Sequence, residues 1–280
     1  MKDEFGDRMK EYEGKETLRR FLPMVPVCAR LDGKSFHNFT KGLTRPYCFG
    51  LIVLMQETTR YLVMKTNANV GYTQSDEISL IWCQENYKSE IFFDGKVQKM
   101  TSVLASMATA FFNENKSKYI PSKKDVTALF DCRVWQVPTK EEAVNVLIWR
   151  EKDAVRNSIQ MLAQHYFSHK ELMYKSTKNM HDMLHEKGIN WNDVDPCAKM
   201  GTYVFRQKEL KKMSKEDLES LPEKHNARKN PNLMYTRTTY QNYSEPLTKV
   251  IDKVGFVFEG KPPVTWKVLP LGNKQERWLD

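Results

Sequence analysis

In the N-terminal half the apolar pattern switches between the two-residue period of strands and the 3.6-residue period of helices. The order of those switches constrains the fold more than any other feature. Residues 25–31 read as a buried strand that stops at Asp32-Gly33, with Pro26 confined to its start. Residues 47–65 carry Leu51, Leu54, Met55, Thr58, Tyr61 and Leu62 at helical spacing. Residues 70–72 and 78–82 predict a hairpin around a polar turn. A second helix is expected over 97–113, and a further strand over 128–137, closed by Pro138. Strand, helix, hairpin, helix, strand is the split β-α-β, ferredoxin-like order, an α+β arrangement of an antiparallel sheet with helices on one face. Many unrelated proteins share it, so it predicts a fold and no activity.

The remainder predicts a mostly helical half. Thr139-Lys-Glu-Glu142 is a capping box opening a long helix towards Phe167, Ser168-His-Lys-Glu171 restarts a helix, and Ser176 caps a third that ends at Gly188. Residues 201–206 read as a strand and residues 224–232 as a mobile polar loop. The expected organisation is a catalytic core over 1–138 with a helical and mixed region, 139–280, packed on it. At 280 residues with 40% hydrophobic content the chain can bury a large core. No apolar run approaches the roughly 20 residues that span a bilayer, and residues 1–12 lack a secretory pattern, so a cytoplasmic protein without membrane association is expected. Five scattered cysteines and six histidines show no zinc or disulfide spacing. The net charge of +9 favours a polyanionic partner.

Two acidic clusters carry the candidate chemistry. Asp32 ends a strand, where its carboxylate can enter a cleft. Gly33 lets the backbone turn close to an anion, and Lys34 and His37 add charge. Ser75, Asp76 and Glu77 form the tip of the predicted hairpin, where adjacent carboxylates suggest a cation. Each cluster alone reads more readily as a plain solvated turn than as a site. Together they place Asp32 and Asp76 side by side, with Glu77 adjacent, as catalytic carboxylates able to hold two Mg²⁺ ions roughly 4 Å apart. The oxygen-rich set suits Mg²⁺ better than zinc.

The segments Arg30-Leu-Asp-Gly-Lys-Ser-Phe-His37, Gln74-Ser-Asp-Glu77, Phe130-Asp-Cys-Arg-Val134 and Trp149-Arg150 resemble, in order and spacing, the tRNA(His) guanylyltransferase family. Phe5-Gly-Asp-Arg-Met-Lys-Glu-Tyr-Glu13, Gly188-Ile-Asn-Trp191 and Gly201 extend the likeness over the first three quarters of the chain. The resemblance implies a palm-like core that adds nucleotides to the 5′ end of tRNA, in the 3′-to-5′ direction. It implies metal binding by Asp32, the Gly33 carbonyl and Asp76. Nucleotide contacts fall on Asp32, Gly33, Lys34, Ser35, Phe36 and His37, with Ser75 and Asp76, and ATP or GTP serves as activating and incoming nucleotide. A homotetramer, as a dimer of dimers, is implied as well. Family members that add the extra guanosine carry His-Ile-Asn-Asn-Leu-Tyr-Asn after their Trp-Arg. Here Val155-Arg-Asn-Ser-Ile-Gln-Met161 keeps only Asn157, which is the pattern of the guanylyltransferase-like branch that repairs truncated 5′ ends by template-directed pairing.

Further phosphate or RNA contacts are expected at Arg30, Arg45, Lys96, Lys99, Arg133, Asn157 and Asn190, with a solvated helix face competing for Lys96 and Lys99. Lys224, Arg228 and Lys229 offer RNA-backbone contacts or a mobile loop. Trp82, Trp135 and Trp149 are expected to fill core. The competing functions are dedicated guanosine addition to tRNA(His), a palm-core enzyme acting on a small nucleoside triphosphate, and a non-catalytic RNA-binding protein.

Overall fold

The computed structural model describes residues 3–230, 232 and 234–265, without the side chains of residues 227 and 229. In chain order the principal elements are α1 (Glu4–Thr17), β1 (Val27–Gly33), α2 (Phe36–Phe39), α3 (Phe49–Thr66), β2 (Val70–Gln74), β3 (Glu77–Trp82), α4 (Val97–Tyr119) and β4 (Phe130–Gln136). They continue with α5 (Lys140–Tyr166), α6 (His169–Leu172), α7 (Thr177–Glu186), α8 (Pro196–Met200), β5 (Thr202–Lys212), α9 (Lys215–Ser220) and β6 (Met234–Tyr243). The strands form one six-stranded sheet in the order β4-β1-β3-β2-β5-β6, antiparallel at every pairing. The strand–helix–hairpin–helix–strand order is therefore present, and β5 and β6 extend the same sheet from beyond residue 138.

Alternation along the strands divides the core into two layers. Ala29, Leu31, Ile78 and Leu80 face α3 and α4, where Leu54, Leu62, Met100, Leu104, Ala108 and Phe112 are all buried. Cys28, Val70, Tyr72 and Ile81 face the other way, against Ala143, Val144 and Leu147 of α5. Helix α4 runs six residues further than its apolar spacing predicts, through the polar run 113–119. Those polar groups are satisfied locally. Asn113 Nδ2 donates to Thr109 O and Ala128 O, both at 2.7 Å, and the buried Lys116 Nζ donates to Val126 O at 2.6 Å. A buried ammonium with hydrogen-bonded partners continues the stripe without the cost of a bare charge.

The caps follow the sequence. Ser168 and Ser176 make reciprocal capping boxes with Glu171 and Asn179, and the Thr139 hydroxyl accepts from the Glu142 N–H. Within 224–232 the described backbone includes a 3-10 turn over Asn226–Lys229, while Pro231 and the side chain of Lys229 lie outside the described residues. No helix among the described residues is long and apolar enough to cross a membrane.

Candidate active site

The end of the sheet where β1 finishes and the β2–β3 hairpin turns opens into a cleft of about 630 Å³, within the range of small-molecule sites. Asp32 and Gly33 line it from β1, and Gln74, Ser75 and Asp76 line it from the hairpin. Burial pushes the Asp76 carboxyl above the ordinary aspartate range. The Ser75 hydroxyl, donating to Asp76 Oδ1 at 3.0 Å, opposes the shift, and the Asp32 charge adds to it. The Asp32 contribution means that the two carboxylates lie within electrostatic reach of each other at this end of the sheet.

Backbone geometry keeps this end tight. Phe36 lies in a cluster with Phe39, Phe112 and Phe130, its ring 4.9 to 5.7 Å from each of theirs. A Cβ on Gly33 would fall 2.2 Å from the Phe36 ring, so only glycine lets β1 pass directly over that anchor. Gly201, at φ +75°, approaches Thr73 O so closely that a Cβ would sit 2.4 Å away. Ser35 (φ +55°) and Ser75 (φ +51°) both hold left-handed backbone at the cleft. Such non-glycine positions cost on the order of 1–3 kcal/mol and persist only where the surroundings enforce them.

The opposite wall comes from the C-terminal half. Ala154, Asn157, Ser158 and Met161 of α5 line the cleft together with Cys197 and Ala198 of α8. The Tyr47 hydroxyl donates to Ser158 O at 2.8 Å and ties the loop before α3 to that wall.

Of the residues singled out from sequence, Asp32, Gly33, Ser35, Phe36, His37, Arg45, Ser75, Asp76 and Asn157 all line the cleft. Glu77, Lys34, Arg30, Arg133, Lys96, Lys99 and Asn190 do not. Glu77 is buried, and Arg150 of α5 holds both its oxygens, Nε to Oε1 at 2.6 Å and Nη2 to Oε2 at 2.7 Å. Arg150 Nη2 also donates to Asp153 at 3.0 Å. The Lys34 backbone N–H bonds Leu129 O while its side chain is exposed. Lys96 precedes α4, Lys99 places its ammonium 5.8 Å from the Phe93 ring, and Asn190 caps the turn at Trp191–Asp193. Arg133 lies beside the cleft, 3.9 Å from Asp32 and 3.7 Å from Asp131.

The registers explain this sorting. Asp131, Asp32 and Glu77 are direct partners across β4, β1 and β3, and Arg133, Arg30 and Ser79 are partners two residues further along the strands. An acidic row thus occupies the sheet end, with a basic row behind it on the same face. Trp82 fills core as expected, but Trp149 does not. It is 54% exposed, with Arg30 Cζ 5.5 Å and Arg150 Cζ 4.6 Å from its ring. On α5 the buried stripe runs through Leu147, Arg150, Glu151 and Ala154, and residue 149 falls on the flank of that stripe.

Among the described residues no three His, Cys, Asp or Glu side chains converge as a metal cluster. Two carboxylates and a neighbouring backbone carbonyl remain. That set fits Mg²⁺, which is commonly held by one or two carboxylates plus substrate phosphates, and does not fit zinc.

The family described as tRNA(His) guanylyltransferase matches residues 6–138. An uncharacterised protein of Acanthamoeba polyphaga mimivirus is 32% identical, over 72% of this chain and 77% of its own length. The solved bacterial tRNA(His) guanylyltransferase (Thg1)-like protein in complex with ATP is 34% identical, with a TM-score of 0.73, covering 91% of this chain and 99% of that one. The solved bacterial Thg1-like protein in complex with GTP is 32% identical, with a TM-score of 0.67, over 88% and 95%. The chain belongs to the tRNA(His) guanylyltransferase family of nucleotidyltransferases.

Proposed function

We propose that this enzyme adds nucleotides to the 5′ end of tRNA in the 3′-to-5′ direction, with Mg²⁺, in template-directed repair of truncated ends. The observation that carries the reading is that Asp32 and Asp76 line one nucleotide-sized cleft. The neighbours' bound ATP and GTP support a nucleoside triphosphate in that cleft. Asp32, Asp76 and the Gly33 carbonyl would hold two Mg²⁺ ions, which when bound neutralise the triphosphate and acidify the attacking hydroxyl.

This chain's own part is orientation. Ser35 and His37 on one lip and Ser75 on the other can donate to phosphate oxygens, and Asn157 can reach the nucleotide from α5. The 3′-hydroxyl oxygen of the incoming nucleotide bonds to the activated 5′ phosphorus, AMP or pyrophosphate leaves, and the hydroxyl proton passes to solvent. Glu77, clamped by Arg150, serves to set the hairpin bearing Asp76.

Repair is favoured over dedicated guanosine addition because Asn157 alone survives of the seven-residue motif, and Ser158 and Met161 stand on the cleft wall where that motif would fall. A homotetramer is part of the proposal. Helix α1 buries none of its residues and exposes Phe5, Met9 and Tyr12, an apolar stripe suited to a subunit contact. Cytoplasmic action on tRNA completes it, with the +9 charge supplying sequence-independent affinity that falls steeply with salt.

The test is extension of tRNAs lacking one 5′ nucleotide with all four triphosphates. Incorporation of the nucleotide complementary to the opposing base is expected on several tRNAs. Guanosine addition confined to tRNA(His) would instead assign the namesake activity, and nucleotide turnover independent of RNA would remove the polymerase reading.

A further inference from the structure

Trp149 is an exposed aromatic residue that belongs neither to the cleft lining nor to the core. Its backing is specific. Arg150 reaches Glu77 on β3 and Arg30 stands on β1, and their guanidinium carbons lie 4.6 and 5.5 Å from the indole while more than half of the residue stays open. Arg133, the register partner of Arg30, adds a third cation at the same level. Beneath them the Ser79 hydroxyl, on a residue only 2% exposed, and Arg30 Nε are both buried without a hydrogen bond to any described group. Arg30 lies two residues from Asp32 on the same strand face, roughly 7 Å along the sheet. That is about the separation between a nucleotide's phosphate and its base. Trp149 does not line the cleft formed with α2 and α8.

We propose that Trp149 is a stacking shelf for a nucleobase whose phosphate reacts at the Asp32–Asp76 pair. This rests on the proposed transfer to an RNA 5′ end. The base belongs either to the terminal nucleotide of the RNA or to the activating nucleotide. An indole offers a sequence-tolerant face for either, and the Arg30 guanidinium against it supplies positive charge for the attached phosphate. The cleft and the shelf would then hold the two nucleotides that become joined, on opposite sides of the same carboxylates.

The experiment compares the wild-type chain with Trp149→Ala and Trp149→Phe on three truncated tRNAs. One has a 5′-monophosphate, one a 5′-triphosphate that needs no activating nucleotide, and one a 5′-triphosphate on an abasic terminal residue. Trp149→Ala is expected to raise KM about tenfold or more on the monophosphate RNA, the loss of one base stack, while Trp149→Phe stays near wild type. If the defect persists on the triphosphate RNA and vanishes on the abasic one, the RNA base is the ligand. If it vanishes as soon as the triphosphate is supplied, the activating base is. Trp149→Ala matching wild type on all three RNAs, or showing an equal defect on the abasic end, overturns the stacking shelf. Absence of extension by the wild-type chain overturns the function itself and is read separately.

Discussion

The two faces of the central sheet are made from alternate residues of the same strands, yet they are built for different work. Beneath α3 and α4 the face that β1 and β3 present is apolar from end to end, with Ala29, Leu31, Ile78 and Leu80 against Leu104 and Phe112. Beneath α5 it is apolar only at one end, around Cys28, Ile81 and Leu147. At the other end it becomes the rows Arg133–Arg30–Ser79 and Asp131–Asp32–Glu77. Helix α5 changes character at the same place, passing from Leu147 to Arg150, Glu151, Asn157 and Ser158. A single sheet thus gains rigidity from one face and spends part of the other on charge. Glu77 is neutralised inside the protein by Arg150, whereas Asp32, with Asp76 of the adjoining hairpin turn, lines the cleft.

That contrast is broken first at the cleft. Asp76→Asn keeps shape and removes charge, and nucleotide addition is expected to fall more than about 100-fold, since metal ions supply several kcal/mol of charge stabilisation at about 1.4 kcal/mol per factor of ten. RNA affinity measured alongside should hold; wild-type turnover would sink the assignment. The internal pair comes next. Arg150→Ala strands the buried Glu77 carboxylate and should cost about 3–5 kcal/mol in denaturant unfolding, whereas replacing both partners with apolar residues should recover most of it. An equally unstable double replacement would mean that the pair contributes more than mutual neutralisation.

On the apolar face, Leu104→Ala should cost about 2–5 kcal/mol and leave kcat per folded molecule unchanged. A kcat loss there would show that the two faces are not separable. The smallest effect concerns pH. Because the Asp76 carboxyl is raised in the folded chain, folding without metal favours its protonated form. Its contribution to stability is full below 3.8, the ordinary aspartate value, and is lost as pH rises through the folded value. Asp76→Asn should flatten that slope in metal-free melts, and an unchanged slope would place the shift elsewhere.

The same contrast governs what could be read before the structure. Beneath α3 and α4 each element announces itself by local spacing, as with Leu54, Met55, Thr58 and Leu62, so β1, the hairpin and the start of both helices fall close to where the pattern puts them, and only the polar last turns of α4 escape it. Asp32 and Asp76 were legible because strand ends and hairpin turns are local features. The partners of Glu77 were not, since Arg150 lies 73 residues away and only tertiary packing brings it there. Trp149 misled for a related reason: tryptophan is usually buried, and only the phase of α5 against the sheet exposes it. Helix α1 buries nothing, and β6 reads as Thr-Arg-Thr-Thr-Tyr-Gln-Asn-Tyr at a sheet edge, so neither carries a core stripe to detect.

Thermal melts with and without Mg²⁺, for the wild type, Asp32→Asn and Asp76→Asn, test most directly whether one sheet end carries a shared cation site. Ligand binding to the folded state alone raises Tm, so Mg²⁺ should stabilise the wild type and leave both variants unmoved. Without Mg²⁺, Asp76→Asn should melt above the wild type because a buried charge is gone. Variants that gain as much from Mg²⁺ as the wild type would contradict the account.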